Sequence, residues 1–418
     1  MKIYGYEDNY IEIEKENGMY IVYNSYSNKV IALNKKGYSL LKQLVSEGKK
    51  NNGTINRSDE ETKKFIYFLN KWGILFNTSS SYNNMNYSFE YERLKVFHLH
   101  KAYLHLTQRC NLNCRYCYNK RNIGKYEDLS TEKWKLIIQR LKDRGFDYIV
   151  FTGGEVTLRE DYVELAQFVN SLNMDLHILT NGTHRIPKEA FKYATSIEIS
   201  LDNINEVYNA NLRVGADTYK VLDFLKGYSD SEKERIIIKT VVSKENQHEI
   251  SVLKETLKSI GITNFMFMPC QPIRKGEDTY PSKTVKRELH KFDESRITKC
   301  NGCYEVIAIN SDGNIFPCQA LIKDEFCIAN IFEDNWYENI KGHDITNTFI
   351  EDSIVSNKCK TCKYKYLCGG PCKAAAYNYC GDILEGRTNY CTFAKKECDE
   401  YLRTIDFLGE NKYETESV

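Results

Sequence analysis

The sequence lacks any run of eighteen apolar residues, which excludes an ordinary membrane-spanning helix. It also lacks an excess of charge of one sign: 58 basic side chains meet 57 acidic ones, a formal net charge of +1. Nothing in that balance points to nucleic acid as an obligate partner. The start, Met1-Lys2-Ile3-Tyr4-Gly5-Tyr6-Glu7, lacks a signal-peptide core, so the chain is expected to be cytoplasmic, with no membrane partner. A disulfide framework is excluded with it, because that compartment keeps thiols reduced. The fifteen cysteines therefore need another use, and metal ligation is the one to test first. The 418 residues, 42% hydrophobic, leave room for two or three domains with a sizeable core.

What is present is most concentrated at Cys110-Asn111-Leu112-Asn113-Cys114-Arg115-Tyr116-Cys117, a C-x3-C-x2-C triplet. A structural zinc site closes with four ligands, usually from paired knuckles. Three close cysteines with no fourth nearby better suit a 4Fe–4S cluster with one open iron. A zinc knuckle completed from elsewhere, or three unrelated buried cysteines, are the alternatives for the triplet alone.

The surroundings of the triplet narrow this. Leu104-His105-Leu106-Thr107 before it reads as a short strand, and Tyr148-Ile149-Val150-Phe151-Thr152-Gly153-Gly154-Glu155 is an apolar strand ending in Gly-Gly-Glu. Leu179-Thr180-Asn181-Gly182 and Ile197-Glu198-Ile199-Ser200-Leu201-Asp202 repeat the pattern, apolar first and polar or glycine at the carboxyl end. Parallel α/β barrels build their active sites at that end. Strands are expected near 102–107, 147–152, 175–180, 196–201, 235–242 and 263–269. Helices alternate with them, the first carrying Trp134, Ile137, Ile138 and Leu141 as a stripe.

This order resembles the radical S-adenosylmethionine (radical SAM) superfamily, in which the three-cysteine loop follows the first barrel strand. The resemblance implies an α/β fold with a partial (β/α)6 TIM-type barrel over 96–270. It implies that Cys110, Cys114 and Cys117 ligate a 4Fe–4S cluster whose fourth iron is chelated by SAM. Gly153, Gly154 and Glu155 would meet the SAM amino group, the glycines by letting backbone approach closely. Tyr116 would lie near adenine, and Ser200 with Arg213 would hold the SAM carboxylate, for which a guanidinium fork is suited. Asp202 would touch ribose or cap the following turn. Thr180 and Asn181 would line the same mouth or cap the next helix. For Arg213 the alternative is a surface guanidinium near a helix cap.

Two flanking regions add to the core. In residues 1–76, Tyr10-Ile11-Glu12-Ile13, Met19-Tyr20-Ile21-Val22-Tyr23 and Lys29-Val30-Ile31-Ala32-Leu33 read as strands, with a turn over 24–28. Leu40, Leu41, Leu44 and Val45 mark one helix; Phe65, Phe68, Leu69 and Trp72 mark a second, with Ser58 and Glu61 as its capping box. The order resembles the winged-helix-like RiPP recognition element, which implies that this unit binds the leader of a precursor peptide. Residues 77–95 read as a linker.

The C-terminal third, 271–410, carries Cys300, Cys303-x9-Gly313-x4-Cys318 and Cys359-x2-Cys362-x5-Cys368-x3-Cys372, with Cys391 further on. It resembles the SPASM extension of peptide-modifying radical SAM enzymes. By that resemblance Cys359, Cys362, Cys368 and Cys391 hold a distal auxiliary cluster, and Cys303, Cys318 and Cys372 a proximal one. Cys300 would complete the proximal set, although its spacing from Cys303 is narrower than usual in the family. Cys270, Cys327, Cys380 and Cys398 fit no cluster and read as small buried hydrophobes. Residues 411–418 read as a tail.

The resemblance as a whole implies an enzyme with SAM and three 4Fe–4S clusters, fed by an electron donor such as flavodoxin or ferredoxin. It would install a thioether, carbon–carbon or carbon–oxygen cross-link in a ribosomally made precursor peptide. The competing readings are a formylglycine-generating, sulfatase-type maturase and a non-catalytic peptide-binding iron–sulfur protein.

Overall fold

The computed structural model describes residues 10–24, 29–52, 54–55, 59–75, 98–282, 300–351, 359, 361–385 and 388–404. The linker, the tail and Ser58 lie outside these residues, as do 25–28 of the expected turn.

The chain opens with an antiparallel meander, β1 (Tyr10–Glu14), β2 (Tyr20–Asn24) and β3 (Lys29–Leu33), in that spatial order. Gly18 turns the first hairpin at φ 78°, a value that suits a residue without Cβ. Two helices follow, α1 (Lys35–Lys50) and α2 (Glu60–Lys71). Asn34 caps α1 by accepting from the Gly37 N–H, and Asp59 caps α2 by accepting from the Thr62 N–H at 2.7 Å. Strand alternation gives the sheet two apolar faces. Val22, Ile31 and Leu33 pack on Leu41, Leu44, Phe65 and Leu69 of the helices, with Phe68 and Trp72 at the edge of that core. Ile11, Ile13, Ile21, Tyr23 and Ala32 pack instead on Leu402, near the C-terminal end of the described chain.

The core is the expected alternation. Strands β4 (Lys101–Thr107), β6 (Tyr148–Gly153), β7 (Asp175–Thr180), β8 (Ser196–Ser200), β10 (Ile236–Val242) and β11 (Phe265–Pro269) run parallel as neighbours in chain order. The short strands β5 (Asn113–Cys114) and β9 (Arg213–Val214) pair with each other outside that sheet. Helix α3 (Thr131–Asp143) buries Trp134, Ile137, Ile138 and Leu141 as its stripe requires. Helices α4 (Tyr162–Ser171), α5 (Lys188–Tyr193), α6 (Glu206–Leu212), α7 (Thr218–Lys226), α8 (Asp230–Lys233) and α9 (Ile250–Ser259) complete the core. In register, Leu104, Phe151, Ile178, Ile197 and Ile236 line up across five strands, so their carboxyl ends share one edge.

The C-terminal third does not form a separate sheet. β12 (Val306–Ile309) adds in parallel beside β4, and β13 (Asn314–Phe316) and β14 (Ala329–Asn330) continue antiparallel from it. Six parallel strands thus become part of a nine-stranded sheet, with β11 at one edge and β14 at the other. Helices α10 (Trp336–Gly342), α11 (Asp344–Glu351), α12 (Lys365–Cys368), α13 (Lys373–Cys380) and α14 (Tyr390–Thr404) follow. Among the described residues no helix is long and apolar enough to cross a membrane.

Candidate active site

The cysteine triplet leaves β4 at its carboxyl end, where β6 also ends. The close approach expected of Gly153 and Gly154 is made by the chain's own loop. A Cβ on Gly153 would stand 2.2 Å from the Thr107 carbonyl oxygen, and one on Gly154 would stand 2.1 Å from that of Arg109. With both positions bare, the Gly154 N–H donates to Thr107 and the Glu155 N–H donates to Arg109, each at 2.8 Å. The Gly-Gly-Glu turn is thereby clamped to the three residues before Cys110.

Glu155 is buried, and four protein donors reach its carboxylate. Oε1 accepts from the Thr157 N–H at 3.0 Å, the Thr157 hydroxyl at 2.7 Å and the Thr180 hydroxyl at 2.6 Å; Oε2 accepts from the Asn181 N–H at 2.6 Å. A carboxylate has about four acceptor positions, so this one ties β6 to β7. Asn181 Nδ2 donates onward to Asn111 Oδ1 at 2.8 Å, and Asn111 donates to Thr183, also at 2.8 Å. Neither Thr180 nor Asn181 caps the next helix; the residue before α5 is Pro187. Their capping alternative is thereby set aside.

Tyr116, Asp202 and Arg213 form a second cluster. Arg213 follows α6 directly, but its 6% exposure overturns the surface-guanidinium alternative. Its Nη1 donates to the Tyr116 hydroxyl at 2.9 Å and lies 3.7 Å from Asp202. Tyr116 donates to Asp202 Oδ2, and Asp202 Oδ1 accepts from the Val241 N–H of β10 at 2.8 Å. Asp202 caps no turn either: α6 is capped by Asn205. Burial disfavours the Arg213 charge, and Tyr116 and Asp202 more than restore it. Ser200 is half-buried at the end of β8 and shares no hydrogen bond with Arg213.

Burial raises the thiols of Cys110, Cys114 and Cys117, the last to about 11, while Arg213 opposes the rise at all three. Among the described residues no three His, Cys, Asp or Glu side chains converge tightly enough to hold a single ion. In a cluster each thiolate takes its own iron, so its ligands stand wider apart than those of one ion.

The sequence reading missed the carboxamides flanking the triplet. Asn122 Nδ2 donates to Asn119 Oδ1 at 2.8 Å and to the Ile322 carbonyl at 3.0 Å, Asn119 donates to Gln108 at 2.6 Å, and Gln108 donates to Asn310. Asparagine is abundant throughout this chain, so nothing marked these residues before folding.

The C-terminal cysteines also gather. Cys303 takes φ 59°, and its N–H bonds to the Val306 and Pro317 carbonyls, which brings its turn beside Cys318. Burial pushes Cys300 up to about 11 and Cys303 up to about 12, and raises Cys318 as well. Cys303 lies in the main core, and Cys300, Cys318 and Cys372 pack against that same core. Cys362 donates its N–H to Cys359 at 2.8 Å, and Cys368 ends α12, which packs on α14, the helix that carries Cys391. Of the four cysteines outside these sets, Cys270 and Cys398 are buried as expected; Cys327 and Cys380 are only half-buried.

Compared with known families, residues 104–257 match the radical SAM superfamily. Residues 104–257 are a radical SAM domain. The chain is accordingly an enzyme whose cofactors are SAM and the iron–sulfur cluster of that domain. It is similar to the mycofactocin maturase MftC of Mycolicibacterium smegmatis, 24% identical over 318 residues, or 68% of this chain and 81% of that one. It is also similar to the subtilosin biosynthesis protein AlbA of Bacillus subtilis, 26% identical over 87% of this chain and 88% of that one. Among solved structures, the fold is similar to Streptococcus suis SuiB bound to SAM, with TM-score 0.57 at 16% identity, covering 92% of this chain and 99% of that one. A structure of anSMEcpe with SAM matches with TM-score 0.56 at 19% identity, over 72% of this chain and 96% of that one.

The radical SAM domain carries a donor set that fits its cofactors: three thiols on one loop, a buried guanidinium beside them, and an Arg213 Nε that is buried with no partner among the described residues. Beside the loop a cavity of about 300 Å³ opens between Arg115, Tyr116, Lys120, Glu245, Cys270 and Arg274. Its walls come from the cysteine loop and from the chain following β10 and β11, so a substrate lying there would face the carboxyl ends of the strands.

Proposed function

We propose that this enzyme installs a cross-link, a thioether or a carbon–carbon or carbon–oxygen bond, in a ribosomally made precursor peptide. The observation that carries the reading is the three-cysteine loop at the strand ends, opening on a cavity large enough for a peptide side chain. The names of the relatives support the substrate class, since they include a mycofactocin maturase, a subtilosin biosynthesis protein and a sporulation killing factor maturation protein. SuiB, similar in fold along 90% of this chain, is known in a structure bound to its precursor peptide SuiA.

When bound, SAM and the cluster supply a 5′-deoxyadenosyl radical, which abstracts hydrogen from an unactivated carbon. The chain does the rest. Cys110, Cys114 and Cys117 hold the cluster; Gly153, Gly154, Glu155, Thr180 and Asn181 shape the floor for the SAM amino group. Tyr116 and Asp202 would serve the adenosine, and Ser200 and Arg213 would offer hydrogen bonds and charge to the carboxylate. The cavity walls exclude water and hold the target carbon, which is the protein's share in cofactor chemistry. Cys300, Cys303, Cys318 and Cys372, and Cys359, Cys362, Cys368 and Cys391, would hold two auxiliary 4Fe–4S clusters, which would supply an acceptor for the electron left on the substrate. Residues 1–76 bind the leader. Among the described residues β3 is an edge strand, to which an extended peptide can add, and Phe68 and Trp72 on the neighbouring helix are only partly covered, with Tyr67 70% exposed. A flavodoxin or ferredoxin supplies the priming electron.

Replacing Cys110, Cys114 and Cys117 together by Ala tests the reading. Iron equivalent to one cluster and all SAM cleavage should disappear, while iron bound in the C-terminal third persists. Formation of 5′-deoxyadenosine by the triple variant would refute the assignment.

A further inference from the structure

Arg213 lies directly opposite Cys114 in the two-residue ladder of β5 and β9, and the Arg115 N–H donates to the Leu212 carbonyl at 2.9 Å. The backbone thus presses a permanent cation against the cysteine loop. That cation is buried, and its pairing is incomplete. Asp202 stands 3.7 Å away with the Tyr116 hydroxyl bonded to both groups, and Nε has no partner among the described residues. Asp202 has an anchor independent of Arg213, the Val241 N–H. Buried charges are retained at a cost unless something compensates them. Here a guanidinium fixed by the backbone and a carboxylate fixed by another strand flank the same loop, and they are not fused into one neutral fork.

We propose that Arg213 and Asp202 are an opposed pair of charges that sets how readily the core iron–sulfur centre accepts its electron. The inference rests on the cluster assignment made above. Reduction adds one negative charge, delivered from a low-potential flavin or iron–sulfur carrier protein and taken up by the oxidised cluster. A cation buried beside the ligands stabilises the reduced form and raises the midpoint potential; an anion lowers it. Both act across a water-poor interior, where charge interactions exceed those at a surface. The role is one of tuning, separate from any contact Arg213 makes with SAM.

The test is a redox titration of full-length, cluster-loaded protein without SAM. It follows the electron paramagnetic resonance signal that the triple cysteine variant lacks. Arg213→Gln should move the midpoint to more negative potential, and Asp202→Asn to more positive potential. Each shift should be about tenfold in the reduced-to-oxidised ratio at fixed potential, or about 59 mV for one electron. Arg213→Lys keeps the charge and should stay near the parent value. Loosening of the site would move the two neutralising variants the same way, so shifts of one sign, or no shift in either, would overturn the proposal. If Arg213→Gln does not load its cluster, a positive shift in Asp202→Asn with an unmoved Arg213→Lys still supports it, and a negative or absent shift in Asp202→Asn still defeats it. If the parent protein shows no core signal at all, the cluster assignment has failed first.

Discussion

Around Cys110, Cys114 and Cys117, residues just beyond the carboxyl ends of β6, β7 and β8 and from a loop far away in sequence reach the loop and its flanks. Glu155 gathers four donors, Asn181 ties to Asn111, and Asn310 joins the triplet's flank across two hundred residues. Around Cys359, Cys362 and Cys368 the main-chain bonds are local, from Cys362 to Cys359, Lys365 to Cys362 and Cys368 to Tyr364. In the first region the fold holds the ligands. In the second, short turns and a one-turn helix carry the cysteines proposed above to bind an auxiliary cluster, and such ligands would have to help hold the fold, as metal sites in small domains do.

Gly154→Ala should break the first region most severely. The new Cβ would meet a backbone oxygen at 2.1 Å, and the Glu155 N–H bond to Arg109 would have to open. Overpacking against backbone that cannot turn aside costs about 3 kcal/mol or more. The expected outcome is loss of core iron and SAM cleavage, with a large fall in thermal stability. Parent-like cleavage in this variant would show that the clamp is dispensable.

Cys362→Ala should act on the second region and leave the first alone. SAM cleavage without peptide turnover should survive, and peptide modification should be lost. The N-terminal sheet should loosen as well, because Tyr364 and Leu367 pack against its Ile11–Ala32 face together with Leu402. Limited proteolysis between residues 10 and 75 would report this. Unchanged protection together with full modification would erase the contrast between the two regions. The same packing bears on any study of residues 1–76 alone, since such a fragment exposes Ile11, Ile13, Ile21, Tyr23 and Ala32 to water.

Much of this was legible in the sequence because spacing and period are local. The cysteine triplet, the strand ends at Thr107, Gly153, Thr180 and Ser200, and the stripe of Trp134, Ile137, Ile138 and Leu141 all follow from residues close together in the chain. What could not be read depends on distant partners. No local signal says that Val306–Ile309 will pair with Lys101–Leu104, so the C-terminal third gave no sign that it extends the core sheet. Arg213 was expected at the SAM carboxylate, but that it stands opposite Cys114 follows only from the pairing of β5 with β9. Glu155 could be singled out from its Gly-Gly-Glu turn, but the donors that reach its carboxylate come from Thr157, Thr180 and Asn181, whose convergence is tertiary.

The seam between the two regions supplies the effect that is smallest at neutral pH. His105 follows Leu104, which pairs with Ile309, so it lies beside Asn310 where the core sheet meets β12. It is fully buried, and both ring nitrogens lack partners among the described residues, as do Asn310 Nδ2 and Ser311 Oγ. Burial pushes the imidazole down to about 3. A depressed histidine is neutral in the native state while its unfolded counterpart takes a proton below about 6.5. Between those values the unfolded chain binds more protons, so stability rises with pH and is lost as pH falls from about 6.5 toward 3. The single group predicts about 2 kcal/mol less stability at pH 5 than at pH 7. His105→Gln removes the titration and should flatten that part of the urea-measured profile, whatever it does to stability at pH 7. Hydrogen exchange at pH 5 in the parent protein should show β12 and β13 opening before β6 and β7, because the proton enters at the seam. If the profile of His105→Gln parallels that of the parent, or β6 and β7 open first, the seam is not where acid separates the two regions.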